Sequence, residues 1–389
     1  MDDTLWLNWY REQTNIPVAN DRMRGCAHRP AGYTVRPIEG DSIKKYGKGE
    51  KIMKKLSRIL ALALACVMLF ALAGTAQAAD KTYTLKIAHV NSQTHPAHLA
   101  LVKFKEMVEE QTDGKVKVDI YDSSVLGGEL EEIQQVIDGS LTAAMVLGMS
   151  NWQNMVPATA IEELPFMYPD VEHARAAFDG AYGDYVKENW IEPTGLKVLC
   201  FWESGFRHFT NNVRPIVTPD DMKDIKFRSA QSEIRVKMFE ALGASATIIN
   251  FSELYTALQQ GTVDGQENPL SIITANGFYD VQKYLSLSGH FYSTALFIVN
   301  PDFWNSLPAE YQEIIQAASE ECRDYDRQLS SESEQDMIQT CLDHGMEVNE
   351  IDAASFKAAM DEVWALYTTE YGTDAVNLAL TSSGQEPLA

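Results

Sequence analysis

From Tyr83 onward, segments with a two-residue hydrophobic period alternate with segments of helical period, and no other feature restricts the fold as much. YTLKIAHV reads as a strand, and AHLALVKFKEMVEEQT, from Ala97, carries Leu101, Phe104 and Val108 at helical spacing. KVKVDIY follows as a strand, GELEEIQQVIDGS as a helix beginning after Gly127-Gly128, and TAAMVLG as an apolar strand. Strands separated by helices are joined by crossovers. This half therefore predicts a largely parallel sheet with helices packed on it, an α/β arrangement.

The order changes near residue 200. LKVLCFWE and FRHFTNN read as two strands separated by Ser204-Gly205, a crossing point between two lobes. TPDDM, from Thr218, signals a helix start or turn, and IKFRS a strand. SEIRVKMFEALG reads as a helix closed by Gly243, ATIIN as a strand, and SELYTALQQG as a helix capped by Ser252 and ended by Gly261. YSTALFIVN reads as a strand returning to the first lobe. One long polar helix runs from Ala309 to about His344, and AASFKAAMDEVWALYTTEYG forms a final helix. The expected lobes are 79–204 with about 291–330, and 205–290 with about 331–389. Strands that cross between lobes make a hinged clamp with a ligand cleft between them. Along the long helix, about 1.5 Å per residue puts Cys322 and Cys341 nearly 30 Å apart, far beyond disulfide reach. Both, and Cys200, are expected as free, mostly buried thiols.

Upstream, MKKLSRILALALACVMLFALAGTAQAAD has a basic start, an apolar run and a small-residue cleavage pattern, so residues 53–78 read as a secretory signal cut after Ala78. The run is shorter than the roughly 20 apolar residues of a spanning helix. The mature protein is placed in the periplasm. Residues 1–52 show no structural period, and Lys48-Gly49-Glu50 is how a purine-rich ribosome-binding sequence reads when translated. They are expected to be an upstream extension from a misassigned start. The chain carries 32 Lys/Arg against 55 Asp/Glu, a net charge of −23, and removal of the basic leader makes it more acidic. Such a surface repels nucleic acid and anionic membrane and suits a soluble exported protein; a monomer is expected.

Catalytic signatures are absent: no GxSxG, HExxH, CxxC, phosphate loop or dinucleotide fingerprint occurs after residue 78, so no cofactor is expected. His89, His95 and His98 read as a strand residue and two residues at a loop and helix start rather than as a metal site. The chemistry that is present is cationic. Arg228, in IKFRS, stands at a strand end where a planar guanidinium can hold a carboxylate by two parallel bonds, and Arg207, in GFRHFTNN, is a second cation on the crossing strand. A secreted hydrolase or lyase using Asp264, Glu267 and a histidine is the enzymatic alternative.

GFRHFTNNVRPIVTPDDMKDIKFRS and EALGASATIINFSELYTALQQGTVDGQENP resemble the diagnostic core of the periplasmic solute receptors of TRAP transporters, the DctP type. The similarity runs from the LKIAH strand to the terminal helices. It implies a two-lobe periplasmic binding protein fold with hinge strands and a long helix spanning both lobes, closing without catalysis on a small organic carboxylate delivered to membrane permease subunits. The same fold serving a sensor kinase is the alternative. By resemblance Arg228 makes the main bond to the ligand carboxylate, Arg207 a second, Asn268 a hydrogen bond, and Phe251 stands on the pocket wall. Leu147 replaces the pocket glutamate of the sialic-acid receptors, and Ala230 a proline common after the key arginine. Glu129, after Gly127-Gly128, is a candidate for a ligand hydroxyl or amine. Trp152, Phe166, Tyr168, Trp202, Phe206, Phe209 and Phe251 fall near the expected cleft; most are expected in the core, and Trp152 is counted with Arg228, Arg207, Asn268, Phe251 and Glu129 as a ligand-binding residue.

Overall fold

The computed structural model describes residues 81–388. The signal peptide, its cleavage point and the 1–52 extension lie outside the described residues. The first lobe begins β1 (Tyr83–Ala88), α1 (Pro96–Gln111), β2 (Val116–Tyr121), α2 (Glu129–Asp138), β3 (Ala143–Leu147), α3 (Val171–Asp179) and α4 (Ala181–Val186). A long strand, β4 (Lys197–Asn211), leads into the second lobe: β5 (Lys226–Ser229), α5 (Glu233–Ala241), β6 (Ser245–Ile248), α6 (Phe251–Gln259), β7 (Gly265–Pro269), α7 (Leu270–Ala275) and β8 (Tyr284–Leu287). The chain returns through β9 (Tyr292–Val299), α8 (Pro301–Ser306) and α9 (Ala309–Asp343), and ends with β10 (Glu347–Glu350), α10 (Ala353–Ala358), α11 (Asp361–Tyr371) and α12 (Asp374–Ser382).

The sheet is mixed rather than largely parallel. β1 pairs in parallel with β2 and β3, and β5 with β6 and β7, as crossover helices require. The connecting strands run the other way: β9 is antiparallel to β3 and β4, and β4 to β7 and β8. The expected break at Ser204-Gly205 is a bulge inside one 15-residue strand. Phe206 still pairs with Tyr292 of β9, and Arg207 already pairs with Pro269 of β7. Gly205, at φ 106°, takes the bend without the strain a side chain would meet there. Glu203 anchors this bend. It receives Arg175 Nε and Nη2, each at 2.8 Å, and the Tyr292 hydroxyl at 2.9 Å, while its own N–H donates to Asp326 of α9.

α9 is continuous over 35 residues, and its Cys322 lies in the core of the first lobe while Cys341 lies in that of the second. Cys200, Cys322 and Cys341 are free and buried. The first-lobe core gathers Leu85, Ile87, Leu101, Phe104, Val118 and Phe297; the second gathers Leu254, Ile272, Phe278 and Leu285. Among the described residues no helix is long and apolar enough to cross a membrane.

Local differences from the sequence reading have local causes. α6 begins two residues earlier than a Ser252 cap allows, with Asn250 at the cap position and no side-chain cap bond. The expected final helix is broken into α10 and α11 around Ala359-Met360 and stops at Gly372, which stands at φ 79°, and a further helix, α12, follows beyond the stretch read as helical. Read with the second lobe, this region hydrogen-bonds to the first: Trp364 Nε1 to Pro165 O at 3.0 Å, and the Tyr367 hydroxyl to Ala158 O at 2.8 Å.

Candidate ligand-binding site

Parallel strands place their C-terminal ends, and the loops beyond them, at a common cleft. A small cavity lies there, lined from the first lobe by Val90, Glu129, Leu147 and Asn151 and from the second by Arg207, Arg228, Arg235, Phe251 and Asn268. Five of the six residues singled out from the sequence thus share one lining. Trp152 does not join them. It is wholly buried in a hydrophobic core with Ile161, Tyr168 and Phe178, where its ring packs rather than facing the cleft. Of the aromatic residues expected near the cleft, Phe251 alone is in the lining; Trp202 is a core residue bonded to Ser319 O, and Phe209 stacks on His290.

The charged centre is built on β7. The stretch TVDGQENP, polar in sequence, contributes the fully buried strand Gly265–Pro269. A Cβ on Gly265 would come within 2.4 Å of Thr210 O and 2.9 Å of Phe227 Cε1, so only glycine lets β7 enter between β4 and β5. Glu267 is its pivot. Arg207 Nε and Nη2 donate to the Glu267 carboxylate, Nη2 also reaching Glu267 O at 2.6 Å and Asn268 Oδ1 at 2.8 Å. Arg235 Nη1 donates to Glu267 Oε1 at 2.8 Å, and its Nη2 donates to Glu163. Burial alone would raise the Glu267 carboxyl; the Arg207 and Arg235 charges outweigh it and hold it well below the usual range. Burial also raises the Glu163 carboxyl. Its partners, however, are all donors, namely Arg235 Nη2, Ser232 Oγ and Gln153 Nε2, so Glu163 stays an ionised acceptor.

Arg228 differs from both neighbours. It is only 4% exposed, and its Nε donates to Ile249 O at 2.9 Å. Among the described residues it forms no ion pair. Burial first, and then the charge of Arg235, push its guanidinium down to about 9. A buried guanidinium with no ion-pair partner thus lines the cavity. On the other lobe, Glu129 accepts the Leu147 N–H at 2.9 Å and Asn151 Nδ2 at 3.3 Å, and burial raises its carboxyl. Asn268 uses its oxygen on Arg207 and one N–H on Gln266, leaving its second N–H for another acceptor.

The sequence reading missed Arg235 and Glu163. A signal existed for Arg235: with Met238, Phe239 and Leu242 it occupies the buried stripe of α5, and a cation on an apolar helix face needs a buried partner. Glu163 ends an irregular run of helical turns, 157–163, with no period to read. Glu267 and Asp264, candidates for acid-base chemistry in the enzymatic alternative, are committed elsewhere: Glu267 to two arginines and Asp264 to the Lys226 N–H. His89 and His98 do meet, at 3.1 Å, with burial lowering both. Among the described residues no group of three or more His, Cys, Asp or Glu is arranged to hold a metal ion.

Comparison with known proteins agrees with this architecture. Residues 87–370 match the profile of the bacterial extracellular solute-binding proteins, family 7. The chain is 34% identical to the 2,3-diketo-L-gulonate-binding periplasmic protein of Escherichia coli strain K12 over 71% of its own length and 84% of the relative's. It is 31% identical to the C4-dicarboxylate-binding periplasmic protein of Rhodobacter capsulatus, over 79% and 92%. The crystal structure of a TRAP periplasmic solute-binding protein from Polaromonas sp. JS666, bound to D-erythronate, superposes with a TM-score of 0.73 at 34% identity, covering 76% of this chain and 98% of that one.

Proposed function

Because the chain belongs to the bacterial extracellular solute-binding proteins of family 7, the TRAP solute receptors and not enzymes, we propose that it captures an organic carboxylate on Arg228 and hands it to membrane permease subunits. The observation that carries this reading is the guanidinium of Arg228: buried, unpaired by any described carboxylate, and lining a cavity between the lobes. A buried cation without a partner is costly, and a carboxylate that brings two acceptors into the same space removes that cost. Closure is thereby linked to occupancy, since an empty closed cleft leaves the charge stranded and an open one leaves it to water. Arg207 and Asn268 orient the ligand at its rim, and Phe251 and Leu147 supply apolar wall. The relatives' ligands, a sugar-acid derivative, a four-carbon hydroxy acid and C4-dicarboxylates, share the carboxylate this site suits.

Mass spectrometry of small molecules released by denaturing the purified protein tests the proposal. One organic acid is expected, near one per chain and chemically unchanged after incubation. A neutral compound, or a compound turned over during incubation, contradicts it. For the permease, the loaded protein is expected to drive uptake into vesicles that carry the membrane subunits, and the empty protein is not.

A further inference from the structure

The lining of this cavity holds three guanidinium groups, but two of them are already spoken for. Arg207 and Arg235 converge on Glu267, and Arg235 extends to Glu163, so two cations face two carboxylates within direct hydrogen-bond range. Of the three, Arg228 alone forms no ion pair among the described residues, the charges of Glu267 and Glu129 acting on it from beyond ion-pair range. The next charged group on the lining is Glu129, which reaches the cavity from the other lobe and is held by two N–H donors, Leu147 N and Asn151 Nδ2. Donors on both of its oxygens favour the ionised form, and each oxygen keeps a lone pair for a further donor.

From this charge balance we infer that the ligand carries a single carboxylate, bound at Arg228, and hydroxyl groups that donate to Glu129: a hydroxylated monocarboxylate of the sugar-acid type, not a C4-dicarboxylate. The inference rests on the reading of the cavity as a carboxylate site and decides between the ligand classes its relatives leave open. A second carboxylate on the ligand finds no unneutralised cation. It must either displace Glu267 or Glu163 from an arginine, stranding a buried charge, or approach Glu129 as a like charge where burial already disfavours the ionised carboxyl. A hydroxyl in the same position donates to Glu129 and needs no counter-charge. Asn151 fixes the acceptor by bonding at once to Glu129, Leu147 O at 2.9 Å and Gly148 O at 3.3 Å. Glu129 is therefore the residue that sets ligand class, and Arg228 the one that sets the requirement for an acid.

The test is a calorimetric panel on protein stripped of ligand by unfolding and refolding. It comprises hydroxylated monocarboxylates of four to six carbons, succinate and malate, butyrate as an acid without hydroxyls, and erythritol as a polyol without charge. At least one hydroxylated monoacid is expected to bind, with both dicarboxylates and butyrate at least about tenfold weaker, a step of about 1.4 kcal/mol, and erythritol silent. Glu129→Gln, which replaces an acceptor oxygen by an N–H donor, is expected to move the ratio of hydroxy-acid to dicarboxylate affinity by about tenfold toward the dicarboxylates. Succinate or malate binding as tightly as the best hydroxy acid overturns the inference while the carboxylate site stands, and so does an unchanged ratio in Glu129→Gln. Should that variant fail to fold, the wild-type panel decides alone. Tight binding of erythritol removes the carboxylate reading and the inference together.

Discussion

Arg207 grips Glu267 at both ends. Its guanidinium donates to the Glu267 carboxylate and, through Nη2, to the Glu267 carbonyl at 2.6 Å, so one side chain from β4 fixes both the charge and the backbone of β7. Because Arg235 shares the same carboxylate and keeps Glu163 besides, Glu267→Gln leaves two buried cations with one carboxylate between them and Arg207 with none. The variant is expected to lose about 3 to 5 kcal/mol of stability in urea unfolding. A loss below about 1 kcal/mol would mean that the pairing is not buried as described.

Glu132 supplies a pH dependence. It is wholly buried on α2, neither carboxylate oxygen has a hydrogen-bond partner, and burial, followed by the charges of Glu129 and Glu131, raises it from 4.5 to about 8. The folded protein thus holds a proton that the unfolded chain releases. Its contribution to stability is complete below pH 4.5 and is lost as pH rises through about 8. Glu162, raised to about 7 by burial, acts in the same direction. Glu132→Gln stays neutral at every pH. It is expected to match the wild type at low pH and to exceed it by about 2 kcal/mol or more near pH 9. Melting curves across this range check it, and a constant offset would contradict it.

Trp152 separates packing from binding. With its ring in the core and outside the cavity lining, Trp152→Phe is expected to cost about 1 to 3 kcal/mol of stability and to leave ligand affinity within about twofold. A large affinity change at unaltered stability would return Trp152 to the pocket. Paired denaturation and binding curves distinguish the two.

Much of this was legible in the chain itself. Period two and period 3.6 gave the first-lobe elements in order, and the polar run from Ala309 gave α9 whole, because those patterns record one-sided burial. Arg228, Arg207 and Asn268, which line the cavity, stand out in the sequence only through motif resemblance; position alone does not separate them from surface polar residues. The failures lie where burial is two-sided or where a helix face carries charge. β7 is buried on both faces yet polar, since its groups are satisfied by partners distant in sequence, such as Arg207 and Thr210. Arg235 is hidden by the same logic, its partners lying 32 and 72 residues away. Trp152 was placed near the cleft by sequence neighbourhood, and an aromatic side chain next to a pocket is as useful for filling the core behind it.

If Arg228 anchors the ligand carboxylate, calorimetric titration of the ligand recovered from the protein separates wild type from Arg228→Ala. A loss of about 2 to 5 kcal/mol in binding free energy, with the variant still folding cooperatively, is the predicted result. Undiminished affinity in a folded Arg228→Ala protein would contradict the account.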